Sequence, residues 1–141
     1  MRRNTMWTTV TVALSLLAPV ACSKDVPTRP AVPVPGTLVV SLDAVDAPLG
    51  AALLILRGGG IAAPVKTGAT EYLFARALDS TGTALQVAVI GNRVSGALFS
   101  FRVPDIARVD DYSVTLLQLA DQSNAVLPGV AGYRLSLVAE R

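Results

Sequence analysis

Residues 79–103 read DSTGTALQVAVIGNRVSGALFSFRV, and their periodicity decides the fold class. Leu85, Val87 and Val89 alternate with Gln86 and Ala88, and Phe99, Phe101 and Val103 alternate with Leu98, Ser100 and Arg102. A period of two is that of a strand with one buried face, because successive side chains leave the pleated backbone on opposite sides. Asp79-Ser80-Thr81-Gly82 supplies a turn before the first run, and Gly91-Asn92 reads as a two-residue hairpin link between the runs. The stretch therefore predicts a meander in which Phe99, Phe101 and Val103 enter the core and Leu98 faces away from it.

The same grammar extends to both sides. In 37–43, Leu38, Val40 and Leu42 alternate with Val39 and Ser41. Residues 51–57 carry Leu53, Leu54, Ile55 and Leu56, apolar on both faces, which suits a strand in the middle of a sheet. Residues 70–78 are ambiguous: Thr70 could cap a helix, but Tyr72 and Phe74 favour a strand, and a strand is expected. Pro104 ends the run that began at Arg93, since proline cannot donate to a ladder. Further strands are expected at 112–120 and at 133–138, the latter with Tyr133, Leu135 and Leu137 inward. Seven short strands with no helical period between them predict an all-β fold, an antiparallel β-sandwich. The run from Arg93-Val94-Ser95-Gly96 through Phe99-Ser100-Phe101-Arg102-Val103-Pro104-Asp105 resembles the corresponding part of cohesin-like sandwich domains. That resemblance, or a more general Ig-like one, implies a sandwich used for protein or carbohydrate contact.

The first two dozen residues have a different composition. Arg2 and Arg3 are followed by a mostly apolar run from Met6 to Leu17, and then by Leu17-Ala18-Pro19-Val20-Ala21-Cys22. A basic start, an apolar middle and small residues before a cut site are the layout of an export signal. The closing residues resemble a bacterial lipoprotein cleavage box, which implies cleavage before Cys22 and diacylglyceryl modification of its sulfur. An ordinary signal peptide cut near Ala21 is the alternative and leaves a free thiol. A membrane span fits less well, because Thr8, Thr9, Thr11, Ser15 and Pro19 interrupt a run that would need about 20 apolar residues. Residues 23–36 hold Pro27, Pro30, Pro33 and Pro35 and read as a semi-rigid tether, able to reach roughly 40 Å if extended. The expected organisation is a signal at 1–21, a lipidated Cys22 with a proline-rich linker at 22–36, and the sandwich at 37–141.

Cleavage changes the charge balance. Loss of Arg2 and Arg3 leaves ten basic against ten acidic side chains, so the precursor's excess of +2 disappears. No basic footprint for nucleic acid remains. With Cys22 as the sole cysteine no internal disulfide can form, and apolar burial must carry stability. The chain has no histidine, which removes the commonest general base near neutral pH.

Candidate chemistry is correspondingly thin. Gly58-Gly59-Gly60 lacks the lysine and hydroxyl of a phosphate loop, and is expected to be a flexible connection. Lys24 and Lys66, the only lysines, fall in the tether and in an expected loop, away from any Ser-x-x-Lys arrangement. Asp105 with Asp110 and Asp111, or Asp43 with Asp46, could gather oxygens for Ca²⁺, and Asp105, Asp110 or Asp111 could form a carboxylate hydrolase site, but loop aspartates also serve turns. Tyr72, Phe74, Phe99, Phe101, Tyr112 and Tyr133 are the aromatic residues left for a sugar-stacking platform. The expectation is a non-enzymatic, lipid-anchored envelope protein without a cofactor, whose partners are the membrane and a protein or glycan. If the cell has two membranes, Ser23 after the modified cysteine is compatible with the outer one.

Overall fold

A computed structural model of the chain describes residues 32–44 and 48–140. Cys22, Lys24, Asp46 and most of the tether lie outside that range. Eight strands make up the fold: β1 Gly36–Asp43, β2 Leu49–Arg57, β3 Val65–Lys66, β4 Tyr72–Ala77, β5 Ala84–Ile90, β6 Gly96–Val103, β7 Ser113–Asp121 and β8 Arg134–Ala139. Two short 3-10 turns over Ile106–Asp111 precede β7. The strands form two antiparallel four-stranded sheets, ordered β3-β6-β1-β8 and β4-β5-β2-β7. The molecule is an all-β sandwich.

Alternation places the core between the sheets. Leu38, Val40 and Leu42 of β1 and Phe99, Phe101 and Val103 of β6 meet Ala52, Leu54 and Leu56 of β2, Val87 and Val89 of β5, and Leu119 of β7. Phe101 sits at its centre, with ring centroids 6.5 Å from Phe99 and 6.1 Å from Tyr112. β2 lies between β5 and β7, the mid-sheet position that its apolar run predicts.

Three expectations need correction. The link at Gly91-Asn92 is not a hairpin: β5 pairs with β4 and β2, whereas β6 pairs with β1 and β3, so the chain crosses from one sheet to the other. Backbone bonds from Gly91 to Gly50 and from Val94 to Leu49 tie this crossing to the start of β2. Leu98 is 1% exposed rather than outward. Val40 pairs with Phe99 and Ser41 with Ala97, so Leu98 is the extra residue of a bulge and turns inward beside Phe99. Lys66 lies in a strand, because Val65 and Lys66 add to β6 opposite Ser100 and Phe99, raising the count from seven strands to eight. The strand expected at 70–78 is present as β4, and the Thr70 hydroxyl donates to the Leu98 carbonyl at 2.7 Å, joining the segment before β4 to the opposite sheet.

Candidate functional site

The aspartates at the end of β6 are engaged in holding backbone. Asp105 accepts from the amide of Ala107, capping the 3-10 turns at 3.1 Å, and from the amide of Val34 at 3.2 Å. A second bond, from the Ile106 amide to the Val34 carbonyl, completes the clamp. Asp111 pairs with Arg108 at 2.8 Å on the surface. A hollow of about 340 Å³ opens here between Pro33, Gly59, Pro104, Asp105, Arg108, Asp111 and Tyr112. Its acids face two amides and a guanidinium, an arrangement that secures the incoming chain to the sandwich. Among the described residues, no group of three or more His, Cys, Asp or Glu side chains is placed to hold a metal ion.

The glycine run is occupied as well. Tyr112 donates its hydroxyl to the Gly59 carbonyl at 2.9 Å, and its ring lies where a Cβ on Gly58 would stand. Gly58 also has φ 152°, a conformation that side chains rarely adopt. The three glycines therefore seat an aromatic ring. Burial raises the Tyr112 pKa, and neighbouring Asp111 adds to the rise.

The unassigned surface is the outer face of β4-β5-β2-β7. Cross-strand register arranges it in rows: Tyr72, Ile90, Ala51 and Ala120; then Phe74, Ala88, Leu53 and Gln118; then Arg76, Gln86, Ile55 and Thr115. An antiparallel sheet with one face on the core ordinarily turns polar side chains to water on the other. The companion sheet largely does so: its outer face carries Thr37, Arg102, Ser100, Ser41, Ser136, Asp43 and Arg134, with Val39, Val65, Ala97 and Val138 as the apolar exceptions. In the second sheet the pattern reverses. Tyr72 is 59% exposed and Phe74 61%, with Ile90, Leu117 and Val126 exposed beside them.

Side-chain size gives this face its relief. Ala51, Ala88 and Ala120 stand between larger neighbours and leave two shallow hollows. One of about 200 Å³ is bordered by Leu53, Ile90, Gln118 and Val126, and one of about 150 Å³ by Leu53, Phe74, Arg76 and Gln86. Both are smaller than the 300 Å³ or so at which small-molecule pockets begin, so the face has shallow relief and no enclosed pocket. Its charges share one sign, since Arg76 is the only charged side chain in these three rows and the next row, of Arg57, Ala84 and Ser113, adds a second arginine. Arg76 is steered by a bond from its Nε to Gln86 Oε1 at 2.6 Å.

Of the aromatic residues available for stacking, Phe99, Phe101 and Tyr112 are buried, and Tyr133 is half-buried against the core. Tyr72 and Phe74 alone sit together on an exposed face. The double apolarity of 51–57 is the sequence signal for this apolar outer face. It marks a central strand, but the same pattern arises whether the second face is covered or open. Comparison of the chain with protein-family models, with curated proteins and with solved structures gave no match.

Proposed function

We propose that the chain is a lipid-anchored envelope protein whose sandwich works as a non-enzymatic binding module, making contact through the outer face of β4-β5-β2-β7. The observation that carries this reading is the contrast between the two outer faces: one largely polar, the other apolar in the two successive rows that begin at Tyr72 and Phe74, with Gln118 as their one polar member. Keeping apolar surface in water is unfavourable, and contiguous patches of this kind mark interaction sites. The order of charge, apolar run, small residues and Cys22 supports the anchor. Display on a membrane would place the platform in the envelope, facing the periplasm or the cell surface.

Two measurements test the two halves. Cys22→Ala is expected to abolish fatty-acid labelling and release the protein from membranes; labelling that persists removes the anchor. A photo-crosslinking side chain at Leu53 is expected to give adducts in intact cells, whereas one at Ser41 on the other sheet gives none. Equal adducts from both positions would remove the platform.

A glycan is the second reading, because Tyr72 and Phe74 lie two residues apart on one face with the Arg76–Gln86 pair beside them. Affinity electrophoresis against envelope polysaccharides separates it: retardation lost in Tyr72→Ala and Phe74→Ala would support a sugar-binding face.

A further inference from the structure

We propose that two copies of this chain pair antiparallel along β4, with a two-fold axis through Phe74, joining their β4-β5-β2-β7 sheets into one eight-stranded sheet. β4 is the edge of its sheet and has β5 on one side only. The bond from the Leu78 amide to the Ala84 carbonyl sets the phase of that ladder. Bonded pairs alternate along an antiparallel ladder, so Arg76, Phe74 and Tyr72 exchange bonds with β5. The amides and carbonyls of Leu73, Ala75 and Ala77 then point to the open side.

An open edge is a template for another strand, and proteins usually blunt it with short length, bulges or cover. The other three edges are treated in that way. β3 has two residues; β7 is bulged at Leu117 and bridged by Val126 at Ala120; β8 packs beside β7 and the 3-10 turns. β4 has neither proline nor bulge, pairs with β5 without a register shift, and is exposed at every position except the half-buried Leu73.

The occupant follows from the order of side chains on the outer face, Tyr72-x-Phe74-x-Arg76. About an axis at Phe74, each Tyr72 stands opposite the second copy's Arg76, and the two Phe74 rings stand opposite each other. Guanidinium over phenol and ring beside ring are both favourable contacts. Arg76 is already held in its row by Gln86. Phe74 would form a non-bonded pair, the closer kind with Cα atoms about 4.5 Å apart, flanked by backbone bonds between Leu73 and Ala75 of the two copies. The register one step further sets Tyr72 opposite Leu78, beyond the end of the strand.

Pairing also completes the platform proposed above. From strand and row spacings, one copy offers roughly 400 Å², whereas a stable interface buries about 800 Å² on each partner. Two copies side by side supply that area on one continuous surface, because a perpendicular two-fold axis keeps both outer faces on the same side.

The test uses the full-length chain in its native membrane or in detergent. Phe74→Cys is expected to give a disulfide-linked dimer on mild oxidation, since about 4.5 Å between Cα atoms lies within disulfide range. Gln118→Cys, on the same face at β7, and the unmodified chain with its native Cys22 are expected to give about tenfold less. Ala75→Pro deletes an amide that faces the open edge and not β5, so the domain is expected to keep its circular dichroism spectrum while self-association in sedimentation equilibrium weakens by about tenfold or more. No covalent dimer from folded Phe74→Cys, together with a wild-type chain that sediments as a monomer at every concentration, would overturn the proposal. So would crosslinking at Gln118→Cys as strong as at Phe74→Cys. Adducts at Leu53 without any dimer would leave the platform standing and remove the pairing.

Discussion

Tyr112 rests on Gly58, and its hydroxyl reaches the Gly59 carbonyl at 2.9 Å across 53 positions of chain. Tyr112→Phe keeps the ring and loses one hydrogen bond, which is expected to cost about 1 kcal/mol in urea denaturation. Gly58→Ala must move the ring and adopt a strained φ, and about 1–3 kcal/mol is expected; a neutral Gly58→Ala would contradict this seat. Asp79 acts locally. Its carboxylate accepts from the amides and hydroxyls of both Thr81 and Thr83. Led by the Thr81 hydroxyl, these bonds hold its pKa near 2 against the usual 3.8. A folded pKa below the unfolded one means that the contribution is present above about pH 4 and fades as pH falls toward 2. Asp79→Asn is expected to lower the melting temperature at neutral pH and to flatten the acid limb; an unchanged acid limb would refute the assignment. Asp121 repeats the device with Ser123 and Ala125, and its pKa moves the same way. The turn at Asp79 was legible because its partners lie within four residues. The glycine seat was not, because nothing near Gly58 in the chain names Tyr112.

At the scale of the element, most strands follow from alternation, and the departures come from bulges. In β7, Leu53 pairs with Gln118 and Leu54 with Leu116, so Leu117 is an extra residue. It resets the parity: Val114 and Leu116 face the core, and so does Leu119. Deleting Leu117 restores plain alternation with the same residues inward, and the variant is expected to fold with a small loss of stability. Deleting Ala88 from the unbulged β5 turns half of that strand's core residues outward and is expected to prevent folding. Circular dichroism and urea titration of both deletions decide the matter, and equal effects would show that the bulge carries no register. Sequence periodicity identified β5 and β8 cleanly because each stays in phase from end to end. It misplaced Leu98 because a bulge becomes visible only when the neighbouring strand is known.

For the whole molecule, the sandwich depends on a small apolar centre without disulfide support. Phe101→Ala, at a side chain 1% exposed, is expected to cost about 3–5 kcal/mol by urea denaturation. That is a large share of the 5–15 kcal/mol typical of a domain, and a cost below about 1 kcal/mol would place the centre elsewhere. The amino-acid order by itself determined the all-β class, the positions of the longer strands, and the inward residues of β1, β5 and β8. These are consequences of local alternation, turn chemistry and composition, which neighbouring residues encode. Tertiary structure alone decided which strands share a sheet. Of the successive strands only β4 and β5 pair with each other, and every other connection passes between the sheets. A strand of period two looks the same whichever sheet it joins, and an apolar outer face looks the same whether a layer covers it or water does. Partner choice and cover belong to residues far apart in the chain, so they appear only when the chain has closed on itself.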